Sequence, residues 1–338
     1  MTYALPLLCS AALAADDSPA FQGQAALRLR GVAELGRAGT RLERAVDPVQ
    51  DAVFLDPPAP VAGLELTRPR IMGIVNVTPD SFSDGGRFDS QASAVAHALR
   101  LLAEGADILD IGGESTRPGA VEVAVADEIA RTAPVIAALR DAGMRAPISI
   151  DTRKAEVARA ALAAGADIVN DVSALTWDRD MAPLVAEAGV PVCLMHAQGT
   201  PQTMQKDPKY NDVRFDVHDW LMAAMARAEA AGIDRARIIL DPGIGFGKTV
   251  AHNLALLAHL ALLHGSGCAI LLGASRKRFI GVIGGVDQAG ERLGGSLAVA
   301  LQGAAQGAHI LRVHDVSETR QALSLWQALH EKQECGGI

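Results

Sequence analysis

The stretch LLAEGADILDIG, Leu101 to Gly112, reads in twelve residues as the end of a helix, a turn and a strand. Gly105 stands where a helix C-terminus favours a left-handed residue. The apolar run after it is short enough for a buried parallel strand. The unit returns in ALAAGADIVND (161–171) and GAAQGAHILRVHD (303–315). Following it along the chain gives eight candidate strands, at 71–75, 107–111, 147–151, 168–170, 192–196, 238–241, 270–273 and 310–313. Helix-period segments separate them, as in QASAVAHALRLLAEG, where Val95, Leu99 and Leu102 share a face. Eight strand–helix units in one sheet predict an α/β fold, a closed (β/α)8 TIM barrel. The competing architecture, an open doubly wound sheet, would carry a GxGxxG fingerprint after its first strand, and none is there.

A composition shift near residue 65 divides the 338 residues. Residues 1–65 mix short apolar pieces, Arg/Glu pairs and the Pro-rich DPPAP without a convincing period, and read as an N-terminal extension of unassigned role. Residues 66–338 hold the barrel units. Hydrophobic residues make up 49% and aromatics only 4%, an aliphatic content that suits helices packed on parallel strands. A net charge of −8 with no basic block argues against nucleic acid or anionic membrane as partners. An anionic substrate must then be held by a local basic cluster. Cys9, Cys193, Cys268 and Cys335 lie far apart with no CxxC pair, which points to a reducing, cytoplasmic setting. The opening MTYALPLLCSAALAADD ends an apolar run in Ala-Leu-Ala but lacks the basic segment that export requires. No run approaches the ~18 apolar residues of a membrane span.

Barrel enzymes place their chemistry at the C-terminal ends of the strands. In order, those positions hold Asn76, Gly112 to Arg117, Asp151, Asn170-Asp171, His196, Asp241, Ser275-Arg276-Lys277, and Arg312 with His314. Single polar strand caps are ordinary, but a full ring of them predicts one site. Asp151, Asn170, Asp241 and Lys277 suit a ligand edge rich in N–H donors, such as an aminopyrimidinone. A ring lacking those donors would leave buried acceptors unpaired, at ~1–3 kcal/mol each. Asn76, Arg117, Arg312 and His314 suit an anion, because Arg forks match phosphate oxygens. Two loops, NVTPDSFSDGGRFDS (76–90) and GGESTRPGAVEV (112–123), are longer than barrel turns need and read as binding loops or lids.

DPGIGFGKT (241–249) imitates a nucleotide-binding P-loop, but the Gly that signature requires five places before Gly247 is Pro242. An opening carboxylate, Asp241, would also face any bound phosphate. The glycines therefore read as a tight turn between strand and helix.

MGIVNVTPDSFSDGG (72–86), DIGGESTRPGA (110–120), ISIDT (148–152), VNDVSA (169–174), LMHAQG (194–199), DPGIGFGK (241–248), SRKRFIG (275–281) and RVHDV (312–316), in this order, resemble the dihydropteroate synthase family over residues 66 to about 331. The resemblance implies a TIM barrel that joins 6-hydroxymethyl-7,8-dihydropterin diphosphate to p-aminobenzoate and releases diphosphate. It implies Asp151, Asn170, Asp241 and Lys277 on the pterin, and Asn76, Arg312 and His314 on the diphosphate, with Asn76 near Mg²⁺. Thr116 and Arg117 fall on a loop that closes over the site. Ser275, Phe246 and Pro118 border the p-aminobenzoate pocket, where sulfonamides compete. Asp151 is expected to stabilise a pterin methylene cation, with Lys277 beside it in the catalytic set. A homodimer through barrel helices is implied as well, with Ala-rich 293–306 as a face. Ile244 and Ala197 depart from the usual Phe and Met, and neither removes a polar contact. A methyltetrahydrofolate–corrinoid methyltransferase-like barrel, and a non-catalytic pterin binder, are the alternatives. The first 65 residues match no family motif.

Overall fold

The computed structural model describes residues 2–77, 87–115, 120–199, 203–204 and 206–332. The expectations placed on Thr116, Arg117 and Pro118, and on most of the 76–90 loop, lie outside the described residues. The chain opens with an antiparallel sheet. In it Thr2–Ser10 (β1), Ala20–Phe21 (β2) and Arg41–Arg44 (β4) all pair with the central Gln24–Gly36 (β3). Leu7 opposes Gly31 and Leu8 opposes Leu29, so Arg30 is an extra residue bulged out of the ladder. A bulge moves the side chains after it to the other face. Leu27 and Leu29 are therefore buried before it, and Val32, Ala33 and Leu35 after it. No single period of two runs through the strand, which hides it in the sequence.

After a short helix, Ala52–Leu55 (α1), the barrel follows. Its strands are Arg70–Asn76 (β5), Ile108–Gly112 (β6), Ile148–Asp151 (β7), Ile168–Asp171 (β8), Val192–Met195 (β9), Ile238–Asp241 (β10), Ala269–Leu272 (β11) and Ile310–Val313 (β12), all parallel. The sheet closes on itself when β12 pairs with β5. All eight fall within a residue or two of the positions read from the repeated unit. Helices Arg87–Ala103 (α2), Val125–Asp141 (α3), Ala155–Ala163 (α4), Met181–Ala188 (α5), Val213–Ala230 (α6), Val250–Ala258 (α7), Arg278–Gly284 (α8), Leu293–Ala305 (α9) and Val316–His330 (α10) follow the strands in turn.

Strand alternation converts chain position into depth in the barrel. Met72, Ile108, Ile168, Cys193, Ile239, Leu271 and Ile310 form one buried interior cluster, stoppered from below by Val61 and Leu66. Two residues further along four of these strands, the same inward face carries Asp110, Asn170, Asp241 and Arg312. The interior is thus apolar at the floor and polar at the mouth.

The Gly-Ala-Asp turns have a job of their own at the floor. Asp107 donates its N–H to Ile71 O at 2.8 Å while its carboxylate accepts Ile71 N–H at 2.9 Å. Asp167 grips Ile148 in the same two ways, both at 2.8 Å. Each Asp thereby ends a strand gap that would otherwise leave a buried donor unmet.

Candidate active site

Arg312 organises the barrel mouth. Its Nε donates to Asp110 Oδ2 at 2.6 Å and its Nη2 to Asp151 Oδ2 at 2.7 Å, so one planar fork spans β6 and β7 from β12. Asn170 Nδ2 also reaches both oxygens of Asp110, at 3.3 and 3.4 Å. Across the mouth, a Cβ added to Gly273 would lie 3.6 Å from Asp241 Oδ2 and 3.7 Å from Arg312 Cδ. The missing side chain there leaves a space bordered by both groups. Asp151, Asn170, Asp241 and Arg312 therefore meet as the sequence predicts. Asn76 ends β5, in register with Gly112, which in turn pairs with Asp151.

Asp110 was not among the residues expected at the site. It lies inside its strand rather than at the end, yet the period-two step from Ile108 already aims it inward. The geometry also alters the place of Arg312: it is not simply a cation waiting for an anion, because two buried carboxylates hold it.

The DPGIGFGK loop forms the opposite wall. Lys248 turns back under it and is buried, donating to His196 Nδ1 at 2.9 Å, Gly243 O at 2.9 Å and Phe246 O at 3.0 Å. This is the reverse of a P-loop lysine, which would extend toward phosphate. Gly243 is held at φ +66°, and a Cβ on it would sit 1.8 Å from His196 O. The loop presents Phe246 outward, with Lys277 Nζ 4.0 Å from its ring centroid. Ser275 Oγ accepts the His314 N–H at 3.3 Å and lies 3.0 Å from His314 Nδ1. Ser275 thus meets His314, and two residues further along the same loop Lys277 meets Phe246.

Three strand-end residues leave the ring. Asp171 caps its own turn, accepting from Ser173 N–H and Leu175 N–H at 2.8 Å each. His196 packs edge-on to Trp220, ring centroids 4.9 Å apart, against the buried lysine. Arg276 adopts φ +58° and pairs with Asp315. That left-handed step separates it from Ser275 and Lys277 on either side.

Behind the GGEST segment lies an ion network that strand-end reading could not find. Lys154 Nζ donates to Glu114 at 2.6 Å, Glu128 at 2.7 Å and Val123 O at 2.5 Å. Thr152 Oγ1 donates to Glu128 at 2.7 Å, and Arg153 pairs with Glu114 at 2.9 Å. Both described ends of the 112–123 loop are in this way tied to the segment that follows Asp151.

Burial dominates the electrostatics. It pushes Asp151 up to about 7 against the pull of Arg312, with Asp110 adding to the rise. Asp241 rises to about 6, restrained by the Gly243 N–H and Lys277. Lys248 falls to about 7 for the same reason, opposed by Asp241. His196 drops to about 2 through burial and the neighbouring Lys248, so it is a neutral acceptor. Burial also works against the charge of Arg312, but Asp110 and Asp151 outweigh it and raise its pKa. Groups poised near neutrality in a cleft with a fixed cation suit proton-sensitive recognition of a polar heterocycle.

The sequence profile of the pterin binding enzyme family matches residues 72–314. Dihydropteroate synthase of Escherichia coli K12 is 49% identical over 271 residues, covering 80% of this chain and 95% of that protein. The enzyme of Neisseria meningitidis serogroup B is 52% identical over 269 residues, covering 78% and 94%. Among solved structures, Xanthomonas albilineans dihydropteroate synthase with 4-aminobenzoic acid superposes with a TM-score of 0.76 at 52% identity, covering 81% of this chain and 98% of that one. The same enzyme in complex with 7,8-dihydropteroate gives 0.73 at 49%, with the same coverage.

Proposed function

The chain belongs to the pterin binding enzyme family, and from that premise we propose how its own side chains divide the work of a dihydropteroate synthase. The reaction joins 6-hydroxymethyl-7,8-dihydropterin diphosphate to p-aminobenzoate, giving 7,8-dihydropteroate and diphosphate. Relatives at 49–52% identity carry that name, which favours this reading over a corrinoid methyltransferase or a non-catalytic binder.

The observation that carries the assignment is the fork of Arg312 on Asp110 and Asp151, in one inward layer with Asn170 and Asp241. Carboxylates and an amide facing inward accept the ring and amino N–H groups of the pterin. Lys277, its Nζ over the Phe246 ring, supplies the donor for its carbonyl or ring nitrogen. The C–O bond to diphosphate then breaks with its electron pair leaving on oxygen. Asp151 and Asp110 stabilise positive charge on the methylene. The arylamine nitrogen bonds to that carbon and gives up one proton, which the released diphosphate takes. Phe246 and Ser275 wall the arylamine against the methylene, so its weak nucleophile gains by positioning. Arg312 and His314 bind the departing diphosphate.

Mg²⁺, when bound with the diphosphate, neutralises charge on the leaving group. The donor set fits an ion that arrives largely in the company of the substrate. Asn76 offers one hard amide oxygen, and among the described residues no group of three or more His, Cys, Asp or Glu stands ready to hold a metal. Mg²⁺ keeps waters and substrate phosphates as most of its ligands.

Purified protein with both substrates and Mg²⁺ is expected to form dihydropteroate. EDTA should abolish formation, and a sulfonamide should compete with p-aminobenzoate alone. Absence of product with both substrates and metal present would overturn the reading.

No described helix is long and apolar enough to cross a membrane, and Cys9, Cys193 and Cys268 are free thiols, which supports a reducing cytoplasm as the setting. For the homodimer, α9 packs between α7 and α10. Leu254 on α7 and Leu325 with Leu329 on α10 are 47–65% exposed, flanking the Ala-rich face. Sedimentation at micromolar concentration should report a dimer that Leu325→Glu converts to monomer.

A further inference from the structure

The Gly-Ala-[Asp/His] unit occurs three times, and comparing the copies assigns a role to the N-terminal extension. In each copy the residue after Gly-Ala holds one residue of the preceding strand through two bonds. His309 does so with Ile270: its N–H donates to Ile270 O at 2.9 Å, and its Nδ1 accepts Ile270 N–H at 3.0 Å.

What secures the gripping residue differs. Arg320 on α10 donates to Gly105 O and to Asp107, each at 2.6 Å. Arg140 on α3 donates to Gly165 O at 2.9 Å and to Asp167 at 2.5 Å. In both cases the arginine sits on the helix that comes before the gripped strand going round the barrel, α3 before β7 and, across the closure from β12 to β5, α10 before β5. It also covers the left-handed glycine: an added Cβ would meet Arg320 at Gly105 and Arg140 at Gly165. At the third copy the equivalent place, on the 3₁₀ helix Leu260–Ser266 before β11, belongs to His264. There is no guanidinium and no carboxylate.

The missing bonds come from the extension. Gln22 Oε1 faces His309 Nε2 at 3.0 Å, and Gln24 Nε2 donates to Gly307 O at 3.3 Å. A Cβ on Gly307 would lie 2.6 Å from the Phe21 ring and 2.9 Å from His264 Nε2. Since His309 Nδ1 accepts from Ile270, its proton resides on Nε2 and points at Gln22.

The change of chemistry has a reason. The arginine latches keep water: Arg320 and Arg140 have 27% and 22% of their side chains exposed. Gln22, His264 and His309 are wholly buried. A dry latch built from ions would bear the full desolvation penalty of each charge. Burial keeps the imidazoles neutral instead, His264 at about 4 and His309 well below its usual value.

We propose that Gln22 and Gln24 are positioning residues for β12, closing the third floor latch in place of an arginine and so fixing the height of Arg312 and His314 at the mouth. His309 directly precedes β12, three residues upstream of Arg312, so a slip at the latch displaces the diphosphate end of the site first.

The test uses the full chain with Gln22→Met, which keeps the volume and loses the acceptor, and Gln22→Glu, whose carboxyl, kept protonated by burial, retains an acceptor for His309 and a donor for Val53 O. In the parent protein the His309 Nε2–H should appear by NMR as a slowly exchanging imidazole proton. Gln22→Met should speed its exchange at least tenfold and raise KM for pterin diphosphate about fivefold, with KM for p-aminobenzoate within twofold. Gln22→Glu should recover most of both effects. If Gln22→Met does not fold, Gln24→Met carries the same kinetic expectation through the bond to Gly307 O. Equal shifts in both KM values, equal losses in Met and Glu variants, or no change in the imidazole proton would each overturn the proposal. The kinetic arm rests on the proposed function while the NMR arm does not. Inactivity of the parent chain with an intact imidazole signal would therefore count against the function alone.

Discussion

Arg312→Met is expected to lower stability by about 3–5 kcal/mol and to reduce dihydropteroate formation at least a thousandfold. Removing one partner of a buried ion pair leaves the other charge unpaired, a loss of that size. Here the guanidinium has two such partners, Asp110 wholly buried and Asp151 nearly so. For a chain of this length the loss corresponds to a melting temperature lower by roughly 4–7 °C. Arg312→Lys separates charge from geometry. A single ammonium on a flexible stem cannot meet two carboxylates on neighbouring strands as a planar fork does. Lysine should restore part of the melting temperature and little of the turnover. Adding Asp110→Asn to Arg312→Met should regain stability by removing one stray carboxylate, again without activity. The coupling between the two substitutions measures the pair. Calorimetry and product formation on the five proteins, the single Asp110→Asn included, decide it, and an Arg312→Met protein that melts within a degree of the parent would show the fork to be incidental.

The fork also marks where the sequence stops being readable. The strands were legible because each begins after a Gly-Ala turn or in a short aliphatic run, and β5 to β12 lie where that unit places them. Residues at strand ends were legible too: Asp151, Asn170, Asp241 and Arg312 converge because a parallel barrel brings every C-terminal strand end to one rim. Asp110 escaped notice since it sits mid-strand, where an acidic residue reads as an outward position until the register is known. Lys154 and Glu128 lie at or near helix starts, where charge is ordinary, and only folding brings them within 2.7 Å of one another. The extension was opaque for a third reason, since the bulge at Arg30 moves the buried face of β3 partway along the strand. In each case what was missing was register, a long-range quantity that composition and local period do not contain.

Asp151→Asn is expected to cut kcat/KM by a factor of a hundred or more while leaving the empty protein at least as stable as the parent above neutral pH. Burial pushes the Asp151 carboxyl up to about 7, far above the value near 4 of an unfolded chain. The folded state therefore binds a proton that the unfolded state does not between pH 4 and 7. Stability from this group rises as the pH falls through 7 and is absent at alkaline pH. Asparagine imitates the protonated form permanently, so its advantage, on the order of 4 kcal/mol, should show at pH 8 and vanish near pH 4. Function runs the other way. The role proposed for Asp151, accepting pterin N–H groups and stabilising a methylene cation, needs the ionised carboxylate, and hydrogen bonds to a charged group contribute about 1.5–3 kcal/mol. In the parent enzyme kcat/KM should fall about tenfold per pH unit below 7, the limb of an essential base in the free enzyme. In Asp151→Asn that limb should disappear or move toward 6, the range of Asp241. Substrate ionisations are common to both proteins, so the difference between the two profiles isolates this one group. If the variant kept the same acid limb, or melted lower than the parent at pH 8, then Asp151 would not be the strained carboxylate on which pterin recognition depends.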